Sequence, residues 1–91
     1  MHESNPHGTA TWKYWQGILN GLDARDCPER RPIPVRARIV FAEDGEEWLD
    51  GEAERLDPGA AIYVRLHDRR VNTLGVWLHP DDVLREGKNA T

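Results

Sequence analysis

Between residues 33 and 79 apolar and polar side chains alternate with a period of two. IPVRARIVF sets Val35, Ala37, Ile39 and Phe41 against Arg36, Arg38 and Val40, the rhythm and the β-branched content of a half-buried strand. Glu43-Asp44-Gly45-Glu46 follows with Asp-Gly at its centre, a hairpin signal. EEWLDGEAERL is then a second strand, in which Gly51 predicts a bulge or a sharp bend. Asp57-Pro58-Gly59 marks a second turn. AIYVRLHD alternates Ile62, Val64 and Leu66 with Tyr63, Arg65 and His67. Residues 73–79 alternate Leu74, Val76 and Leu78 with Gly75 and Trp77. Pro80 stops that strand, and His79-Pro80-Asp81-Asp82-Val83-Leu84 predicts one turn of 3₁₀ or α-helix before a last short pairing or a frayed end.

The chain before residue 33 has a different pattern. Residues 1–11 are polar, broken by Pro6 and Gly8, and are expected to be a disordered tail. Over residues 12–22, Trp12, Trp15, Ile18 or Leu19, and Leu22 recur every three to four positions behind Thr11 as an N-cap, which predicts a short amphipathic helix. Gly17 inside it costs about 1 kcal/mol relative to alanine, so the helix needs packing to hold its shape. Residues 23–32, rich in proline and charge without periodicity, are expected to be a linker. The fold expected is mainly β: a small antiparallel barrel of four to five strands over residues 33–86, with an N-terminal helix and a frayed end at 87–91. An open sheet covered by the helix is the alternative.

Composition narrows the class. The 91 residues, 38% hydrophobic and 31% charged, suffice for one small domain. No run of about 18 apolar residues is present, and the first residues lack the basic start and apolar middle of a secretory signal, so a cytoplasmic location is expected. The lone Cys27 has no intramolecular partner, and its acidic neighbours disfavour a thiolate. Net charge is −4 from sixteen acids and twelve bases. Residues 43–57 hold eight acids against Arg55 alone, so that segment is −7 and the rest of the chain +3. Arg36 and Arg38 precede the acidic run and Arg65, Arg69 and Arg70 follow it, so strands paired in order set opposite charges across from each other, each pair contributing about 0.2–1 kcal/mol.

The strands IPVRARIVF, EEWLDGEAERLD and AIYVRLHD, with the closing turn after GVWLHP, resemble the SH3-like barrels of the Tudor-like kind. The resemblance spans residues 33–86 and implies a binding module that holds peptides, methylated side chains or RNA on an aromatic-bearing face and rarely catalyses a reaction. The residues add their own clue. If Leu49, Ala53, Ile62, Val64, Leu66, Val76 and Leu78 face the core, then Trp48, Tyr63 and Trp77 point to the opposite face. Such rings hold a cation or stack on a peptide or base, and Glu46 and Glu47 favour a cationic ligand. The competing expectation is that a helix bearing Trp12, Trp15 and Leu19 covers this face as a second small core, or that those residues anchor a partner.

The function expected is thus a non-catalytic binding or accessory module contacting a protein partner through Trp48, Tyr63 and Trp77 and the acidic hairpin, or associating with itself. The alternative is an RNA- or DNA-binding barrel using Arg36, Arg38, Arg65, Arg69 and Arg70, although pairing with the acidic strand would neutralise most of them. His2, His7, His67 and His79 do not fall at zinc-like spacing with Cys27, so no metal is expected. No segment buries two carboxylates together, and no phosphate loop or dinucleotide glycine fingerprint occurs, so no catalytic residue and no cofactor are expected.

Overall fold

A computed structural model of the chain describes residues 15–71 and 73–85. Five strands form one antiparallel sheet: β1 Glu29–Phe41, β2 Gly45–Asp57, β3 Ala61–Leu66, β4 Gly75–Leu78 and β5 Val83–Arg85. Their spatial order is β4-β3-β2-β1-β5, a meander of four strands whose fifth returns to pair with the first. A 3₁₀ turn, Pro80–Asp82, joins β4 to β5, and the His79 ring caps it by accepting the Asp81 N–H. The expected barrel is not closed: the sheet is open, because β5 pairs only with β1 and no ladder joins β4 to β5.

Local chemistry accounts for the turns. Gly45 and Gly59 take φ of +78° and +75°, a region open to glycine and strained for other residues; Gly45 follows the turn foreseen from Asp-Gly and Gly59 lies inside the one foreseen from Pro-Gly. One face of the sheet is the core. Val35, Ala37, Ile39 and Phe41 of β1 are buried with Val64, Leu66 and Leu78, and Leu49, Ala53, Ile62, Val76 and Val83 pack against them. All seven residues predicted to face the core lie in this group.

The glycines and bulges differ in part from expectation. Gly51 sits opposite both Val35 and Leu66 in register, so the bulge is elsewhere. A Cβ at Gly51 would lie 2.6 Å from the Arg65 carbonyl oxygen and 2.8 Å from Val64 Cγ1, so glycine is present because β3 passes too close for a side chain. The ladder slips between Ala53 and Arg55 instead, leaving Glu54 as the extra residue. That slip reverses the alternation, so Leu56 rather than Arg55 shares the inner face with Ile62. Glu54 is 6% exposed, and its carboxylate accepts from Arg65 Nε at 2.8 Å.

The predicted helix is absent over its described part, residues 15–22, while Trp12 and the terminal calls at 1–11 and 87–91 lie outside the described residues. Residues 15–22 form an extended strap with isolated bridges, Ile18 to Phe41 and Leu22 to Trp77. β5 covers β1 only at Val35, Arg36 and Ala37, and the strap takes the rest of that edge. Leu19 N–H donates to the Val40 carbonyl and Ala42 N–H to the Gly17 carbonyl. The Asn20 carboxamide then continues the ladder with its side chain, accepting from Val40 N–H at 2.9 Å and donating to the Arg38 carbonyl at 2.8 Å. Leu22 N–H crosses to the Trp77 carbonyl on the free side of β4. Two open edges offer partners that outweigh the local preference of a segment weakened by Gly17 and Gly21. The expected linker is also structured: residues 29–32 begin β1, and Arg25 pairs with Asp57 at 3.0 Å.

Gly75 is packed as tightly as Gly51, its Cβ position 2.4 Å from the Val64 carbonyl oxygen and 2.8 Å from Tyr63 Cζ. Gly51→Ala and Gly75→Ala are each expected to destabilise the fold by about 1–3 kcal/mol through overpacking. Gly17→Ala meets only Ala42 Cβ at 3.9 Å and serves as the control that loses nothing. Urea denaturation of the three variants checks this, and equal midpoints would refute the close-approach argument.

Candidate functional site

The three outward aromatics do not form one group. Tyr63 stands opposite both Arg55 and Trp77, whereas Trp48 stands opposite Arg38 toward the other end of β2. Seven residue steps of strand separate Trp48 from Arg55, up to about 23 Å at the usual rise. The Tyr63 and Trp77 rings are 5.5 Å apart and tilted. Trp77 faces outward as predicted but is only 6% exposed, so it is no contact surface. The chain after the strap crosses here, held by Leu22 on Trp77 and by Arg55 Nη1 donating to the Cys27 carbonyl at 2.6 Å. Arg55 also lies 5.9 Å from the Tyr63 ring centre, so the protein's own cation occupies that aromatic face. The helix foreseen as a cover for this face is absent over residues 15–22, and the chain instead approaches it through the backbone of Leu22 and Cys27.

Trp48 belongs to a different surface, the outer face of β2, β1 and β5. It is 37% exposed. Across β1, Leu84 of β5 stands opposite Arg36 and is 39% exposed. Leu19 of the strap, beside Val40, is 68% exposed. Between these apolar residues run ion pairs. Arg36 Nε meets Asp50 at 3.2 Å and its Nη2 donates to the Trp48 carbonyl, while Arg38 joins Glu46 at 3.3 Å and Asp82 at 3.1 Å. The pairing holds Arg36 and Arg38 flat along the sheet, between the indole and Leu84. Trp48, Glu46 and Leu19 of the predicted contact set are thereby brought onto one face, with Trp15 exposed further along the strap.

Glu47 lies on the opposite side of β2 from Trp48 and serves another purpose. Arg70, in the loop after β3, uses all five of its N–H donors on three carboxylates. It meets Asp68 through Nε and Nη2, Glu47 through Nη1 and Nη2, and Asp44 through Nη1, at 2.8 to 2.9 Å. Its guanidinium also stacks 4.0 Å from the Phe41 ring centre. The Arg70 carbonyl accepts from Gln16 N–H, and Gln16 Oε1 accepts from the N–H groups of Glu43 and Asp44. Strap, hairpin turn and β3–β4 loop are thus knotted at one end of the sheet. An open groove of about 760 Å³ lies over this knot, lined by Gln16, Glu43, Asp44 and residues 67–70. The guanidinium holds the Asp44, Glu47 and Asp68 carboxyls below their ordinary range, and they in turn raise the pKa of Arg70. Nothing in the spacing of these four residues announced the knot, because Asp68-Arg69-Arg70 reads locally as a polar strand end.

The arginines of the nucleic-acid alternative are largely engaged with acids: Arg36 with Asp50, Arg38 with Glu46 and Asp82, Arg65 with Glu54, and Arg70 with three partners. Arg69 is exposed on the same loop as Arg70. His67 faces Glu52 at 3.3 Å rather than Asp68. Among the described residues no group of three or more His, Cys, Asp or Glu is placed to hold a metal ion, and no helix is long and apolar enough to cross a membrane.

The knot carries a pH signature. Carboxyls depressed in the folded state contribute stability that is present above their unfolded pKa values of about 4 and is lost as pH falls through the folded values. Wild-type stability is therefore expected to be level above about pH 5 and to fall below about pH 4. Arg70→Gln leaves the three carboxylates facing one another, so its deficit is expected to be largest near neutrality and to shrink in acid. Denaturation midpoints across this range test it; a deficit independent of pH would refute the role given to Arg70.

Comparison of the chain with protein families, with curated proteins and with solved structures yields no match.

Proposed function

We propose that the protein is a non-catalytic binding module whose open five-stranded sheet is of SH3-like kind, and that it contacts a protein partner through the outer face of β2, β1 and β5 around Trp48. The strand order, with the fifth strand returning beside the first after a single 3₁₀ turn, supports the SH3-like assignment of the open sheet. The strap adds to it by joining the two sheet edges that an open meander leaves apart.

The observation that carries the reading is the exposure of Trp48, Leu84 and Leu19 on one face whose charges are already paired. Tryptophan and arginine are the residues most enriched where protein interfaces concentrate their binding energy. Ion pairs that lie flat between apolar groups present guanidinium faces and aliphatic stems to a partner. Glu43, with Glu46 and Asp50 at the rim, keeps the surroundings acidic and favours a basic partner during diffusional approach. Tyr63 and Trp77 act in this reading as a buried brace between β3, β4 and the crossing chain.

The test is affinity capture from cell extract with wild type and with Trp48→Ala, followed by titration of each purified partner against both. Trp48→Ala, at an exposed position, is expected to keep the wild-type melting temperature and to weaken a true partner at least about tenfold, or about 1.4 kcal/mol. Equal affinity for every captured partner would remove the face from consideration.

A further inference from the structure

At the opposite end of β1 and β2 a second surface stands apart from the Trp48 face. β1 carries a wide irregularity there: Glu29 is opposite Arg55 and Ile33 opposite Ala53, so two extra residues are accommodated on β1. Arg30 and Arg31 lie within it, outside the ladder and exposed. Below them is a groove of about 140 Å³ whose apolar wall is Ile33, Ala53, Leu56 and Ile62. That volume is close to what an apolar site needs to hold one leucine-sized or benzene-sized group.

The charges around this groove are unequally used. Glu54 is taken by Arg65, and Arg55 by the Cys27 carbonyl. Arg30 and Arg31 have no hydrogen bond or ion pair among the described residues. In a chain of net charge −4, where Arg25, Arg36, Arg38, Arg65 and Arg70 are all paired with carboxylates, these two adjacent guanidinium groups remain available beside an apolar slot.

We propose that this groove docks an acidic protein segment, one aliphatic side chain entering between Ile33, Leu56 and Ile62 while flanking carboxylates meet Arg30 and Arg31. Bidentate guanidinium pairing suits carboxylates. Nucleic acid is the less favoured ligand because the apolar wall of the slot is aliphatic and its lining offers no ring for a base to stack on. Docking proceeds through side chains and not by strand addition, since Pro32 and Pro34 remove N–H donors from this stretch of β1.

Fluorescence anisotropy with a labelled Glu-Asp-Leu-Glu-Asp peptide tests this on the full chain, alongside the same peptide with serine for leucine and a labelled oligouridine. Saturable binding of the leucine peptide is expected, weakened by added salt, by the serine replacement, and by about tenfold in Arg30→Ala/Arg31→Ala. Both arginines are exposed, with no side-chain bond among the described residues, so that variant should melt with wild type, and Trp48→Ala should bind the peptide normally whatever becomes of the other face. Absence of saturable binding, equal binding by the double arginine variant, or tighter binding of oligouridine through the same two arginines would overturn the proposal.

Discussion

An antiparallel meander has two edges, and the fold of this chain depends on what satisfies them. β5 is only three residues long and leaves the C-terminal half of β1 with unpaired backbone groups, while β4 has an open outer side. Unpaired backbone groups at a sheet edge cost stability when buried and invite aggregation when exposed. The strap at residues 15–22 meets both edges with a handful of bonds: Leu19 and Asn20 on β1, Leu22 on β4. Once it lies there, Ile18 packs on the core and Leu22 is tied to the backbone of Trp77.

The same placement distributes the charge. The acidic run looked from its composition like a steering patch, and in the fold much of it is used internally. Asp44 and Glu47 hold Arg70, Glu54 holds Arg65, and Asp50 and Glu46 hold Arg36 and Arg38. Isolated surface pairs contribute little to stability. The Arg70 cluster differs in having one guanidinium shared by three carboxylates over the Phe41 ring, which fixes the hairpin turn against the β3–β4 loop. The two surfaces proposed for partners are the mixed face around Trp48 and the apolar slot beside Arg30 and Arg31, with opposite charge preferences at opposite ends of one hairpin.

Strand identity, both Gly turns, the 3₁₀ turn after Pro80 and the inward set from Val35 to Leu78 were legible because a period of two, a left-handed glycine and a proline stop are local signals. That Trp48 and Glu46 share the outer face was legible for the same reason, since they alternate outward together. The gathering of Tyr63 and Trp77 with Trp48 failed because alternation specifies a face of the sheet and says nothing of the distance along it.

The sequence by itself determined which residues point inward and where the chain turns, since each depends on backbone preferences within a few neighbours. Only the tertiary structure decided that residues 15–22 are a strap, although their apolar spacing suits a helix, because the competing hydrogen-bond partners on Val40 and Trp77 come from strands 20 to 55 residues away. It also decided that the ladder slips at Glu54 and near Arg30, since a bulge is settled by how two strands fit each other.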